Sequence, residues 1–317
     1  MARAAKKKKP ALQMIEFSRA RDIPFNRIHL SADNVREIDV DAGLDDLTGV
    51  VITHLHADHV SDYYNYALHA STTGRKNGDV IASHIPVYGP GSAGGLPDAF
   101  EGRKVGTVAP AQPAPGTKVM TDRLHEAFAY TTNLFMRDAG FRDPRDLLDV
   151  TEIALPNVGA TFTNRSPRMR PFVVMEDSRV RVTATLVPHG PVFPAFAFRF
   201  DTDHGSVTFS GDTAHSENLI ELARGSDVLV HEALRIPPEA GLTSAIIDHH
   251  LKSHVLVEDT GPIATKADVP WLVLSHIEDT AGEIDYAQWK RLAQRGYDGR
   301  VTIARDLDKL AITRHRR

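Results

Sequence analysis

Four side chains that commonly bind metal ions lie within six residues, in the segment His54-Leu55-His56-Ala57-Asp58-His59. Imidazole and carboxylate groups bind zinc in many hydrolytic sites. The chain contains no cysteine, which excludes thiolate ligands, disulfides and a cysteine nucleophile. Four potential ligands at this spacing are enough to begin two metal sites. The segment therefore predicts a metal centre.

Further ligand-type residues follow three later apolar runs of β type. His189 follows 180–187, Asp212 follows 207–210, and His276 follows 271–274. Functional side chains often emerge together from the ends of rigid strands. One histidine at a strand end is usually structural, but four strand ends that each deliver imidazole or carboxylate are not explained by packing. We predict that they meet at one site.

The elements that must position these ligands are short strands in two clusters, with helices between and after them. The predicted strands are 12–17, 27–30, 49–53, a strand at the start of 79–90, 173–174, 180–187, 195–200, 207–210, 227–230, 271–274 and 301–312. The predicted helices are 32–41, 122–139, 217–224 (capped by Ser216 and closed by Gly225) and 284–295. This order predicts a layered α/β sandwich.

Composition limits the classes of function. The chain has 317 residues, of which 42% are hydrophobic and 25% charged, as is typical of globular proteins. Its formal net charge of −4 provides no global positive field to attract nucleic acid. The basic run at residues 6–9 has no apolar segment behind it, so it does not predict a secretory signal. We expect a cytoplasmic protein with no membrane partner.

The motif order resembles the metallo-β-lactamase superfamily, through HLHADH at 54–59, His189, GDT at 211–213 and LSH at 274–276. HGPVFPAFAFRF at 189–200, GDTAHSENLIELARGSDVLVHEA at 211–233 and SHVLVEDTGPIATKADVPWLVLSH at 253–276 resemble its ribonuclease Z and arylsulfatase-like branch. The resemblance implies an α/β fold, a four-layer αββα sandwich. The start of the chain departs from the family pattern, because nothing there reads as the usual glycine-rich strand hairpin, so we expect an incomplete or atypical N-terminal hairpin. It divides the chain into an atypical basic segment, 1–31, and a hydrolase domain, 32–317.

The resemblance also implies a ligand set for two metal ions. His54, His56 and His189 would hold one ion, Asp58, His59 and His276 the second, and Asp212 would bridge them. Zinc suits these nitrogen and oxygen donors, and manganese or iron is compatible with them. We expect two Zn²⁺ ions per chain.

A hydrolytic mechanism follows from such a centre. A metal-bound hydroxide would attack a phosphodiester, a sulfate or an aryl ester, oriented by Asp58. The resemblance to ribonuclease Z suggests that His254 protonates the leaving group while Glu232 holds its other ring nitrogen. The plainer alternatives are a strand-end salt bridge for Glu232 and a helix-capping or surface histidine for His254.

Substrate choice stays open at this stage. An RNA-processing enzyme needs a basic arm, and residues 91–120 carry only Arg103, Lys104 and Lys118. A small-molecule ester is therefore favoured over transfer RNA. The alternatives are a carbonyl-ester hydrolase (lactone, thioester or β-lactam) and an inactive metal-binding module. A homodimer is an option that the resemblance raises. Pro262 is expected to interrupt the helix after His254.

Overall fold

Two β-sheets form the framework of the protein, in a computed structural model that describes residues 47–72, 84–305 and 308–312. The smaller sheet is parallel, in the order β1-β2-β3: β1 (Val50–Val51), β2 (Ile85–Gly89) and β3 (Leu148–Glu152). The larger sheet has the order β10-β9-β8-β7-β6-β5-β4. Its strands are β4 (Phe172–Glu176), β5 (Val180–Leu186), β6 (Phe196–Thr202), β7 (Gly205–Phe209), β8 (Val228–Arg235), β9 (Trp271–Asp279) and β10 (Arg300–Ile303).

The strands of the larger sheet change direction at its middle. β7 to β10 are mutually parallel, whereas β4 to β7 are antiparallel neighbours. The helices are α1 (Ala57–Val60), α2 (Asn65–Thr72), α3 (Thr117–Ala127), α4 (Ala129–Asp138), α5 (Glu217–Ala223), α6 (Ser244–Ser253), α7 (Val257–Lys266) and α8 (Tyr286–Ala293).

Three apolar clusters define the layers. One packs α5, α7 and α8 against the larger sheet, around the fully buried Trp289. A second lies between the two sheets and contains Phe196, Phe198 and Phe200. A third packs the smaller sheet against α2 and α3. The order helix, sheet, sheet, helix confirms the predicted four-layer αββα sandwich.

Alternating side chains explain why β6 separates two of these clusters. Phe196, Phe198 and Phe200 point into the layer between the sheets, while Ala197 belongs to the cluster under the helices. Neighbouring side chains of a strand point to opposite faces. The face toward the layer between the sheets is therefore aromatic, whereas the opposite face carries Ala197 and, further along, the ion pair of Arg199 with Asp201.

Several predicted boundaries are wrong. Residues 122–139 form two helices, α3 and α4, which meet at Phe128. The strand predicted at 301–312 is confined to β10. Helix α7 continues through Pro262 instead of ending there. At Gly261, just before it, a β-carbon would lie 2.4 Å from the carbonyl oxygen of Ala293, so this close contact between α7 and α8 requires glycine.

Some predictions fall outside the described residues. These are the strands 12–17 and 27–30, the helix 32–41, the atypical N-terminal hairpin and the boundary between 1–31 and 32–317. In the described part of the chain, no helix is both long and apolar enough to cross a membrane.

Candidate metal centre

The first ligand segment leaves β1 at the edge of the smaller sheet and meets the larger sheet there. The backbone amide of Phe196 donates to the carbonyl oxygen of Thr53 at 3.0 Å. Gly211 has φ +58°, and a β-carbon on it would lie 2.5 Å from the carbonyl oxygen of Phe196. Only glycine accepts both this backbone conformation and this close approach at low cost. The ends of β1 and β7 are thereby brought together.

His54, His56, His189 and Asp212 form a first group of ligands. One ligand atom from each lies within 4.8 Å of those of the others. His54, His189 and Asp212 are buried, whereas His56 is exposed. His189 Nδ1 donates to the carbonyl oxygen of Ser253 at 2.8 Å. That bond orients the ring and leaves Nε2 directed toward the group, as in many histidine metal ligands.

Asp58, His59 and His276 form a second group, again with ligand atoms within 4.8 Å of one another. Asp58 and His59 lie on the single turn of α1, and the side chain of Asp58 is 61% exposed. His276 does not follow the end of a strand, as the sequence predicted, but lies within β9.

A bulge in β9 sets the position of His276. The register between β8 and β9 shifts here, because His231 pairs with Leu274 whereas Ala233 pairs with Ile277. His276 itself has φ +50°, a left-handed conformation that is uncommon for residues other than glycine. β-Bulges often redirect side chains beside active sites. The bulge explains how a residue within a strand reaches the second group.

The carboxylate of Asp212 lies between the two groups. Its Oδ2 atom is 3.8 Å from His54 Nε2 and 3.7 Å from His189 Nε2, in the first group. The same atom is 3.2 Å from His59 Nε2 and 3.7 Å from His276 Nε2, in the second group. One carboxylate oxygen therefore faces four imidazole nitrogens, two from each group.

Several buried polar atoms at this centre have no hydrogen-bond partner among the described residues, including His54 Nε2, His59 Nδ1 and Asp212 Oδ1. Buried polar atoms without partners are rare, and an ion at the site is one explanation for them. Burial lowers the pKa of His189 to about 4, so the ring is neutral and able to bind a metal. The residues present therefore fit a divalent metal site.

The second group has a different charge balance. Burial acts to lower the pKa of His276, but the hydrogen bond to Asp58 and the charge of Asp212 outweigh burial and raise it to about 9. The pKa of Asp58 is lowered by its hydrogen bonds with His276 and His59. These carboxylates stabilise positive charge at the point where the ligand atoms converge. A bound metal cation would supply such a charge.

Glu232 and His254 lie beside the metal ligands. Glu232 on β8 is fully buried, and its Oε1 atom accepts from the backbone amide of Val255 at 2.9 Å. Its Oε2 atom lies 3.3 Å from His254 Nδ1. The ring of His254 is 5.1 Å from that of His189 and 6.3 Å from that of His276, centroid to centroid.

This pair also has a defined charge balance. Burial raises the pKa of Glu232, against the opposing effect of His254. Burial acts to lower the pKa of His254, but the hydrogen bond and charge of Glu232 outweigh it, and the net shift is upward. The pair therefore favours a proton on the imidazole.

Comparison with known proteins identifies sequence relatives of the chain. No family model matches the chain. Ribonuclease Z of Mycobacterium bovis (strain BCG / Pasteur 1173P2) is 25% identical, over 86% of this chain and 82% of the length of that relative. Ribonuclease Z of Mycobacterium avium (strain 104) is 28% identical, over 86% of this chain and 82% of the length of that relative. The chain is thus similar in sequence to ribonuclease Z proteins over most of its length. Among solved structures, the short form of human tRNase Z has a TM-score of 0.48 and 18% identity, over 84% of this chain and 79% of that one.

This similarity, together with the clustered histidine and aspartate ligands, supports a metal-dependent hydrolase. The seven residues predicted as ligands all lie in the two groups, and Glu232 and His254 lie next to them. The sequence did not indicate the carbonyl of Ser253, which fixes the ring of His189, because a backbone acceptor leaves no motif.

Asn218 is a second residue that the sequence did not single out. It is 4% exposed, and its amide nitrogen donates to the carbonyl oxygens of Pro167 and Leu186 at 3.0 and 3.1 Å. Its Oδ1 accepts from the backbone amide of Met169 at 3.1 Å. An asparagine in the first turn of a helix is usually a surface residue, so its type and position gave no signal.

Proposed function

We propose that this protein is a phosphodiesterase that hydrolyses RNA with two divalent metal ions. The observation that carries the proposal is the position of the Asp212 carboxylate between the two ligand groups. In the proposed arrangement, His54, His56 and His189 would hold one ion, Asp58, His59 and His276 would hold the other, and Asp212 would be shared between them. Five imidazoles and two carboxylates suit zinc, while manganese and iron are compatible alternatives.

Divalent ions at such a centre supply an activated water molecule and neutralise charge that develops on a phosphate group. Asp58 is suited to orient the attacking water, because it is the most exposed carboxylate of the ligand set. A carboxylate there accepts a hydrogen bond from the nucleophile and sets its direction of attack. We assign Asp58 this second role beside metal binding.

His254 is proposed to protonate the leaving oxygen, with Glu232 as its positioning residue. Glu232 accepts from His254 Nδ1, so Nε2 is left to donate to the substrate. Burial of the carboxylate and its second bond to the Val255 amide hold the pair in one geometry. A carboxylate behind an imidazole fixes its tautomer and favours its protonated form.

The sequence relatives support an RNA substrate. Both are named ribonuclease Z, and this chain matches most of the length of each. This support outweighs the small number of positive charges at 91–120, on which the preference for a small substrate depended. RNA and small phosphodiesters share the bond that is hydrolysed, so both serve as test substrates.

The test is metal content together with hydrolysis of bis(p-nitrophenyl) phosphate and a transfer RNA precursor. We expect about two zinc ions per chain, as a dinuclear site requires, and activity that chelators abolish. Asp212→Ala should lower both rates by roughly a thousandfold, because the metal ions contribute several kcal/mol of charge stabilisation.

Asp203→Ala is the matched control, because Asp203 is exposed in the turn between β6 and β7, at the far end of these strands. Metal-free protein that stays inactive after zinc or manganese is added would overturn the proposal. Hydrolysis of p-nitrophenyl sulfate without phosphodiester hydrolysis would instead indicate an arylsulfatase.

A further inference from the structure

A positively charged segment lies at the same edge of the sheets as the metal centre. Residues 153–171 connect β3 to β4, and we call them the arginine segment. They contain Arg165, Arg168 and Arg170 and no aspartate or glutamate. The whole protein has a formal net charge of −4, so this run departs from the general balance of charge.

The topology fixes both ends of the arginine segment near the ligands. β3 is parallel to β2 and β1, so its C-terminal end lies at the edge where β1 leads to His54. β4 begins opposite the end of β5, because Phe172 pairs with Ala184. β5 ends at Leu186, three residues before His189. The segment therefore leaves one sheet and enters the other at the edge that carries the metal ligands.

Asn218 fixes the C-terminal part of the segment. Its three hydrogen bonds join Pro167 and Met169 of the segment to Leu186 at the end of β5. The three residues from Leu186 to His189 span at most about 11 Å of chain. The bonds of Asn218 therefore hold the backbone on either side of Arg168 within reach of the site. Met169 is 6% exposed and packs into the layer between the sheets. The arginines on either side of it are thus carried by a fixed backbone.

The side chains of Arg168 and Arg170 extend into solvent. Arg168 is 60% exposed, and its Nη2 atom is 3.7 Å from Glu221 Oε2, a loose contact between exposed groups. Arg170 is exposed and forms no hydrogen bond or ion pair with the residues that the structure describes. Arg165 donates to the carbonyl oxygen of Phe162. Two guanidinium groups are therefore available to a partner.

We propose that Arg168 and Arg170 bind the phosphate backbone of the RNA substrate beside the metal centre. The inference rests on the proposed function. Arginine suits this role because its planar fork of donors matches phosphate oxygens. Such contacts position a nucleic acid without reading its sequence. The segment supplies the positive surface that residues 91–120 lack.

The test is the double variant Arg168→Gln/Arg170→Gln, compared with Arg291→Gln/Arg295→Gln. Arg291 lies in the last turn of α8 and Arg295 just after it, both exposed and at the edge where β9 and β10 begin, away from the ligands. Both variants remove two positive charges. KM for a transfer RNA precursor and its dependence on salt are measured, with bis(p-nitrophenyl) phosphate as the small substrate.

We expect KM for the RNA to rise about tenfold in Arg168→Gln/Arg170→Gln at low salt, since each lost phosphate contact removes counterion release. The slope of log affinity against log salt should decrease by about 1.4, or about 0.7 for each contact to a single strand. Hydrolysis of bis(p-nitrophenyl) phosphate and metal content should match wild type. The α8 variant should behave as wild type with both substrates.

Other outcomes separate this inference from the proposed function. If wild type cleaves the RNA and both double variants have the same KM and salt slope, the arginine segment does not bind RNA and the proposed function stands. An equal loss on RNA and bis(p-nitrophenyl) phosphate would show that the arginines act on the fold or the metal centre, which overturns the inference. If metal-loaded wild type hydrolyses only the small substrate, the proposed function fails and the inference fails with it.

Discussion

The two groups of metal ligands differ in how the fold supports them. Three of the four residues in the first group are buried, and their backbones are fixed where β1, β5 and β7 end. The second group has one buried residue and is carried by the single turn of α1 and by the bulge in β9. The first group is thus the more rigid and less accessible of the two. We expect it to hold its ion more firmly.

The largest expected effect comes from removing a ligand of the second group. His276→Ala should retain about one ion per chain, in the first group, and lose roughly a thousandfold in hydrolysis, because one ion's charge stabilisation is missing. Elemental analysis and the rate with bis(p-nitrophenyl) phosphate measure the two quantities. A chelator should remove metal from wild type in two phases, the faster one from the second group.

His189→Ala is the counterpart in the first group. We expect it to leave less metal per chain than His276→Ala, because it removes a buried ligand that is fixed by Ser253. If both variants lose both ions together, the two groups form a single cooperative site and the comparison between them is wrong.

The next largest effect on hydrolysis is expected from replacing His254, which lies beside one ligand of each group. His254→Ala should slow cleavage of RNA by about a hundredfold, the lower end of what a general acid contributes. Its effect on bis(p-nitrophenyl) phosphate should be below about tenfold, since p-nitrophenolate leaves without needing a proton. Rates with both substrates are compared.

The control for this variant is His204→Ala, at an exposed turn between β6 and β7. Equal losses with the two substrates would mean that His254 supports the metal ligands and does not donate a proton.

The smallest predicted effect is that of Asn218, whose bond to Leu186 supports the backbone that leads to His189 in the first ligand group. Asn218→Ala should lower the free energy of unfolding by about 2–3 kcal/mol, because buried backbone groups of Pro167, Met169 and Leu186 lose their partner. Urea denaturation measures the change. Asn133→Ala, on the exposed face of α4, should change stability by less than about 0.5 kcal/mol. A shift no larger than that of the control would show that water replaces the lost bonds.

The sequence predicted the ligands because each is a chemically distinctive residue after an apolar run. It also predicted α5 well, since Ser216 accepts from the backbone amide of Leu219 and Gly225 closes the helix with φ +68°. Local signals of this kind act within a few residues. They are readable without knowing the fold.

Other features depend on distant contacts and were not predicted. β3 was missed because Leu148–Glu152 is half-exposed and contains Asp149 and Glu152, which mask a strand pattern. The bulge at His276 arises from pairing with β8, which no local pattern encodes. The continuity of α7 through Pro262 depends on its packing against α8. The arginine segment had a signal, its run without acidic residues, but its location required the sheet topology.

The left-handed backbone of His276 has a consequence for how the protein could change over time. A non-glycine residue in this conformation costs roughly 1–3 kcal/mol, which the surrounding structure must sustain. Replacement by glycine would relieve that strain while removing a ligand. Selection for stability and selection for hydrolysis therefore act in opposite directions at this position, and a lineage that ceased to need the reaction would be expected to lose this histidine early.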